Sequence, residues 1–149
     1  MIAITMTGGC QCGAKRFEVR VRDDTAYLCH CRMRQRATGG VSIAFKSVAK
    51  ADVTWTTAPP DRFASSPFAQ RGFCAGCGTS LTYESVDHDT MDLTVGSFDE
   101  PARFRPVSHA GAESWHAAWL DTTGLPAERT ADNARIVAQW KETRGDLPA

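Results

Sequence analysis

The segment Gly8-Gly9-Cys10-Gln11-Cys12-Gly13 places two cysteines one residue apart within a frame of glycines. A second segment far along the chain, Cys74-Ala75-Gly76-Cys77-Gly78, has a similar design. Two such pairs present four sulfurs to one point, and zinc prefers a tetrahedral shell of this kind. Glycine adopts at low cost the backbone angles that a tight turn around a metal requires. The predicted ligands of one structural zinc ion are Cys10, Cys12, Cys74 and Cys77.

A zinc ion with four thiolate ligands has no open coordination position, so this site is predicted to be structural and not catalytic. The two pairs are far apart in the sequence, and the ion would therefore fix the N-terminal strand against a distant hairpin. Metal binding contributes directly to folding when the site does not exist in the unfolded chain.

The third cysteine pair, Cys29-His30-Cys31, has no partner pair. Alternate side chains of an extended segment point the same way, so Cys29 and Cys31 should project together and His30 should point to the opposite side. Two thiolates are too few for a stable zinc site. The turn that follows, residues 32–36, offers three arginines, which stay protonated and cannot bind a metal.

Composition narrows the function classes. The 149 residues suit one domain over 1–149, and 17 basic and 17 acidic residues give a formal charge of +0. This balance argues against a nucleic-acid partner, and no apolar run reaches membrane-spanning length. The first residues lack the basic leader of a signal peptide, so we expect a cytoplasmic protein, in which paired cysteines indicate metal more often than disulfide.

The hydrophobic pattern predicts an all-β fold with minor helix, stapled by zinc. Phe17, Val19 and Val21 alternate with charged residues, which indicates a half-buried strand. Further short β-rich runs cover residues 41–45, 53–56, 71–73, 81–83 and 91–95. One helix is predicted over about 131–143, with Thr130 capping its start and Gly145 ending it.

These motifs in combination resemble the glutathione-dependent formaldehyde-activating (GFA) family, also called the centromere protein V family. The resemblance covers about residues 8 to 120 and is carried by 9–13, 29–33, 37–40, 71–79 and 96–101, with His109 and Trp119. It implies a β-tent fold of small antiparallel sheets and a structural zinc on the four cysteines named above. It also implies a second, catalytic zinc, for which Cys29 and Cys31 are two of three ligands. The third ligand position holds Arg34.

The resemblance further implies carbon–sulfur lyase chemistry on a thiol–aldehyde adduct. A zinc ion with an open position would bind a substrate thiol and lower its pKa, and the thiolate would add to an aldehyde such as formaldehyde. The implied partners are glutathione or another small thiol, and an aldehyde. Arg32, Arg34 and Arg36 are candidates for the carboxylates of a tripeptide thiol, and Arg32 and Arg36 equally suit solvated loop charges.

Arg34 admits three interpretations. It removes the second zinc, it pairs with Cys29 and Cys31 and favours their thiolates, or a histidine replaces the missing ligand. Two functions follow: a formaldehyde-activating lyase whose catalytic zinc site is impaired, or a zinc-stabilised binding module without catalysis. His109 is interpreted as a structural histidine, and the helical spacing of Trp115 and Trp119 predicts two core residues.

Overall fold

The computed structural model describes residues 2–143 and 145. The chain divides into two units, Met1–Ala117 and Ala118–Ala149. The first unit carries every described strand and all six cysteines, and the second carries the C-terminal helix. The assignment of one domain to residues 1–149 stays a prediction.

A three-stranded antiparallel sheet lies at the N-terminus. Its strands, in spatial order, are β1 (Ile4–Gly9), β2 (Arg16–Val21) and β5 (Val53–Trp55). The predicted alternation in β2 is confirmed, because Phe17, Val19 and Val21 are each only 1% exposed. They form a core cluster with Leu93 and Phe98 from outside this sheet. Burial of this apolar face gives the sheet its main stabilisation.

A seven-stranded sheet makes up most of the first unit. Its strands, in spatial order, are β10 (Arg105–Ala110), β3 (Thr25–Cys29), β4 (Ile43–Ala49), β9 (Thr90–Thr94), β8 (Ser80–Ser85), β7 (Ala69–Phe73) and β6 (Asp61–Ser66). All neighbours are antiparallel except β10 and β3, which are parallel. The fold is therefore all-β as predicted, but one pair departs from the expected antiparallel pattern. A parallel neighbour is possible here because β10 follows β3 through a long connection and not through a hairpin.

Two α-helices lie within the described residues. The sequence pattern did not predict α1 (Arg32–Thr38), which stands where a turn was expected. The Cys31 sulfur accepts a hydrogen bond from the Arg34 amide at 3.4 Å and caps its start, and Gly39 ends it with φ +81°. Cysteine is not a customary N-cap residue, so the usual helix-start signal is missing.

The second helix, α2 (Ala134–Thr143), lies within the predicted range but begins at a different cap. The Asn133 side chain, and not that of Thr130, accepts a hydrogen bond from the Ile136 amide at 3.1 Å. Gly145 closes the C-terminal end, where its amide donates to the Trp140 carbonyl with a φ of +87°. No helix within the described residues is long and apolar enough to cross a membrane.

The prediction that two tryptophans belong to the core is wrong. Trp115 is 42% exposed and Trp119 is 70% exposed. The stretch contains only short 3-10 turns, Ala112–Ser114 and Ala117–Trp119, so no α-helix aligns the two rings on one face.

Candidate functional site

The four predicted zinc ligands come together at the ends of two strands. Cys10 and Cys12 follow β1, and Cys74 and Cys77 follow β7, so the cluster joins the smaller sheet to the larger one. Every ligand sulfur lies within 4.8 Å of the other three. The Sγ atom of Cys12 is 3.5 Å from that of Cys10 and 3.7 Å from that of Cys74. Four sulfurs at 2.3 Å from a tetrahedral ion would be about 3.8 Å apart, so the donor set fits zinc.

Two matching turns position these sulfurs. The Cys10 carbonyl accepts a hydrogen bond from the Gly13 amide at 3.1 Å, and the Cys74 carbonyl accepts one from the Gly78 amide at 2.7 Å. Gly13 and Gly78 have φ values of +80° and +79°, a backbone conformation that favours glycine. The turns therefore explain why a glycine follows each cysteine pair in the sequence.

The electrostatics of the cluster would favour a bound cation. The Thr79 hydroxyl and amide, with the Cys12 amide, lower the pKa of Cys77 to about 5. The Ala14 amide lowers the pKa of Cys12, but its interactions with the three neighbouring sulfurs outweigh this effect and raise that pKa to about 11. Cys77 thus loses its proton readily, whereas the neighbouring sulfurs oppose the loss of the Cys12 proton. A divalent cation at the centre would remove this opposition, since a coordinated thiol loses its proton.

The remaining cysteine pair lines a separate cavity of about 430 Å³. Cys29 ends β3 and is buried, whereas Cys31 is partly exposed. Within residues 2–143 and 145, neither thiol belongs to a group of three or more metal-binding side chains. The cavity therefore presents two thiols without a third ligand.

His30 points away from this pair, as strand alternation predicted. Its ring is fully buried, with Nδ1 2.8 Å from the Ser42 hydroxyl and Nε2 2.8 Å from Nδ1 of His109. The rings of His30 and His109 also stack on each other and on Trp115. His109 thus has structural partners. Among the described residues, neither His109 nor His116 forms a group of three metal-binding side chains with Cys29 and Cys31, so the geometry does not support a histidine as the substitute ligand.

Arg34 is part of the buried structure of the cavity. Arg34 is only 8% exposed. Its guanidinium donates one hydrogen bond to the Tyr27 hydroxyl and another, at 2.8 Å, to Oδ2 of Asp92. The guanidinium carbon lies 4.2 Å from the ring centroid of Phe45 and 4.5 Å from that of Tyr83. Planar guanidinium groups stack on aromatic faces and match a carboxylate well. Arg34 therefore has a complete set of partners without the thiols.

Asp92 anchors this arrangement from the neighbouring strand β9. One carboxylate oxygen accepts from Arg34 and from the Tyr27 hydroxyl, and the other accepts from the Ser47 hydroxyl. Burial raises the pKa of the nearby Cys29 thiol, although the Cys31 amide and the charge of Arg34 act in the opposite direction. The geometry thus favours an Arg34–Asp92 ion pair over a direct pair between Arg34 and a thiolate.

Sequence reasoning missed three residues of the cavity: Tyr27, Asp92 and Arg71. Asp92 could have been identified from the sequence, because it is a charged residue within the β-rich run 91–95. A buried charge in a strand needs a partner, but the pattern does not show which one.

Gly111 fixes the position of Cys31 by close approach. It has a φ of +63°, and a Cβ at this residue would lie 2.7 Å from the Cys31 nitrogen and 2.9 Å from its Cβ. We expect Gly111→Ala to lower the free energy of unfolding by about 3 kcal/mol, because backbone strain and steric overlap act together. The matched control is Gly39→Ala, where φ is +81° but nothing lies within 4 Å of the added carbon, with an expected cost of about 1 kcal/mol. Urea unfolding measures both, and equal losses would contradict the packing argument.

Fold and site define the class: an all-β protein with a four-cysteine cluster that could hold a metal ion and a separate cavity lined by two thiols. A family model described as glutathione-dependent formaldehyde-activating enzyme matches residues 5–115. The chain therefore belongs to the glutathione-dependent formaldehyde-activating enzyme family.

The proteins that resemble the chain include a yeast relative and a bacterial protein of known structure. An uncharacterized lyase of the fission yeast Schizosaccharomyces pombe is 30% identical over 110 residues, which are 63% of this chain and 80% of that protein. The crystal structure of a Rhodobacter sphaeroides protein superposes with a TM-score of 0.54 at 21% identity. That superposition covers 70% of this chain and 100% of the other, and it supports the fold alone.

Proposed function

We propose that this protein is a zinc-stabilised member of its family in which the second zinc site is impaired, so that thiol–aldehyde lyase activity is weak or absent. The observation that carries this proposal is the environment of Arg34. The position that the family resemblance assigns to a third ligand holds a buried arginine paired with Asp92.

The shortage of ligands is the main physical reason. Cys29 and Cys31 provide two thiolates, and a zinc ion with a single open position requires three protein ligands. The guanidinium of Arg34 also adds a fixed positive charge beside the thiols, although Asp92 balances much of it at 2.8 Å. Repulsion of Zn²⁺ is therefore secondary to the incomplete ligand set.

The other cluster would hold one zinc ion through Cys10, Cys12, Cys74 and Cys77. With four sulfur ligands this ion would supply structure and no substrate position. The residues themselves close two turns and place β1 beside the hairpin that follows β7.

The competing proposal is an active carbon–sulfur lyase that acts on glutathione or another small thiol and an aldehyde. It is favoured by the family membership, by the yeast relative's description as a lyase, and by the two thiols that line a cavity. Metal content distinguishes the two proposals, because the lyase would need a second zinc ion.

The decisive experiment is the substitution Arg34→Cys, which should raise bound zinc from about one to about two per chain by supplying a third thiolate. Elemental analysis of protein purified without chelator gives the metal count. Arg34→Ser is the matched control, because it removes the guanidinium without adding a ligand and should leave the count at about one.

Two zinc ions in the unaltered protein would refute the proposal, as would a second zinc in Arg34→Ser. A glutathione–formaldehyde adduct assay then follows on each protein. If Arg34→Cys gains zinc but no activity, the metal argument holds and the family substrate is wrong for this chain.

A further inference from the structure

Arg71, on β7, is a buried cation without a counter-charge. The residue is 7% exposed, and its guanidinium carbon lies 5.0 Å from the ring centroid of Tyr83. Within the described part of the chain, we find neither a hydrogen-bond acceptor nor a carboxylate paired with it. The other two buried cations differ, because Arg34 pairs with Asp92 at 2.8 Å and Lys46 pairs with Asp23 at 2.6 Å.

The nearby carboxylates are already engaged. Glu84 follows Tyr83 on β8 and so points to the opposite face of the sheet, where it accepts from Arg62 at 3.0 Å. Asp92 accepts from Arg34, Tyr27 and Ser47. The guanidinium nitrogens of Arg71 are not sealed from solvent, because among the described residues the Thr82 hydroxyl is the only buried side-chain nitrogen or oxygen without a hydrogen-bond partner. The charge of Arg71 therefore faces the cavity, where an anion can reach it.

Arg71 lines the same cavity as Cys29 and Cys31. The charged residues of that cavity are two arginines and one aspartate, which leaves a charge of +1 while the thiols are neutral. Burial and the charge of Arg34 lower the pKa of Arg71, and the negative charge of either cysteine thiolate acts against this effect. The cavity therefore has the charge for one monoanion, and its volume of about 430 Å³ suits a small molecule.

We propose that this cavity binds a small carboxylate-bearing molecule, with the carboxylate on the Arg71 guanidinium and the rest of the molecule beside the thiol of Cys31. A carboxylate is the anion of choice because a guanidinium fork matches its two oxygens. Cys31 is the accessible thiol, since Cys29 is buried. A ligand with an electrophilic carbon next to its carboxylate would bring that carbon into the cavity that the Cys31 thiol also lines. The inference rests on the proposed function in one respect: Cys29 and Cys31 must be free of zinc.

Iodoacetate and iodoacetamide test this site, because they differ only in the carboxylate. In each reaction a carbon–sulfur bond forms at Cys31, iodide leaves, and the thiol proton passes to solvent. The alkylation rates at Cys31 are measured by peptide mass spectrometry at equal ionic strength. We expect Arg71→Met to lower the iodoacetate-to-iodoacetamide rate ratio by about tenfold, the value of one charge-assisted hydrogen bond. Arg71→Lys should retain part of the ratio.

Arg36→Met is the matched control, because Arg36 is an exposed arginine of α1 outside the cavity lining. Its rate ratio should equal that of the unaltered protein. An unchanged ratio in Arg71→Met would overturn the proposal. An equal loss of both rates would also overturn it, because that result shows only that Arg71 positions Cys31.

A measurement on the unaltered protein covers the case in which Arg71→Met fails to fold. Propionate should protect Cys31 from iodoacetamide in a saturable manner, whereas neutral propionamide should not. Absence of protection, or equal protection by both, would overturn the proposal. Zinc is counted on the same sample, so a second zinc ion refutes the proposed function, and a failed carboxylate test in a one-zinc sample refutes this inference alone.

Discussion

Replacing Cys74 with serine is expected to remove the bound zinc and to lower the free energy of unfolding by roughly 4 kcal/mol or more. Cys74 is the most buried of the cluster cysteines at 1% exposed, and its sulfur lies 3.7 Å from that of Cys12. Loss of one ligand would leave three crowded sulfurs and would release β1 from the hairpin after β7. Metal content and thermal unfolding, each with and without a chelator, check this result.

Cys31→Ser is the control for that experiment. It also removes a cysteine thiol, but one that lies outside the four-sulfur cluster. The zinc content of this variant should stay at about one per chain, since its cluster is intact. A Cys74→Ser protein that keeps its zinc and its melting temperature would contradict the structural role of the site.

Disrupting the Arg34–Asp92 ion pair is expected to cause the second large loss of stability. Its side chains are 9% and 15% exposed, so Asp92→Ala would leave a guanidinium buried without a carboxylate. We expect a loss of about 3 to 5 kcal/mol in the free energy of unfolding, because removing one partner of a buried ion pair leaves the other charge buried without a partner. Urea unfolding measures this loss, with the slope of the transition checked for two-state behaviour.

Asp24→Ala is the matched control, because the Arg105–Asp24 pair is a contact of similar length, 3.0 Å, but its side chains are 65% and 48% exposed. Its expected cost is below about 1 kcal/mol. The double variant Arg34→Met with Asp92→Ala should recover much of the stability lost in Asp92→Ala, since neither charge is then left buried without its partner. Equal losses for Asp92→Ala and Asp24→Ala would show that burial of the pair has no energetic consequence.

Local chemistry explains what the sequence could predict. Cys10, Cys12, Cys74 and Cys77 were predicted to meet because thiolate pairs in glycine-framed turns suit one ion, and their sulfurs do cluster. The face of β2 followed from alternation, which is a property of any extended chain. The helix α1 was missed because the atom that caps it is a cysteine sulfur, which is absent from the usual helix-start signals.

The four-sulfur cluster, the alternating strands and the arginine at the third ligand position depend on residue type and short spacing, so they can be derived from the amino-acid sequence. The partners of the buried charges cannot be derived in this way, because they depend on how distant segments pack. Asp92 lies 58 residues from Arg34, and it reaches the guanidinium because helix α1 contacts β4 and β9 pairs with β4 in the sheet. Arg71 lacks a carboxylate for the same reason: the side chains that face a buried charge are set by which distant strands become neighbours.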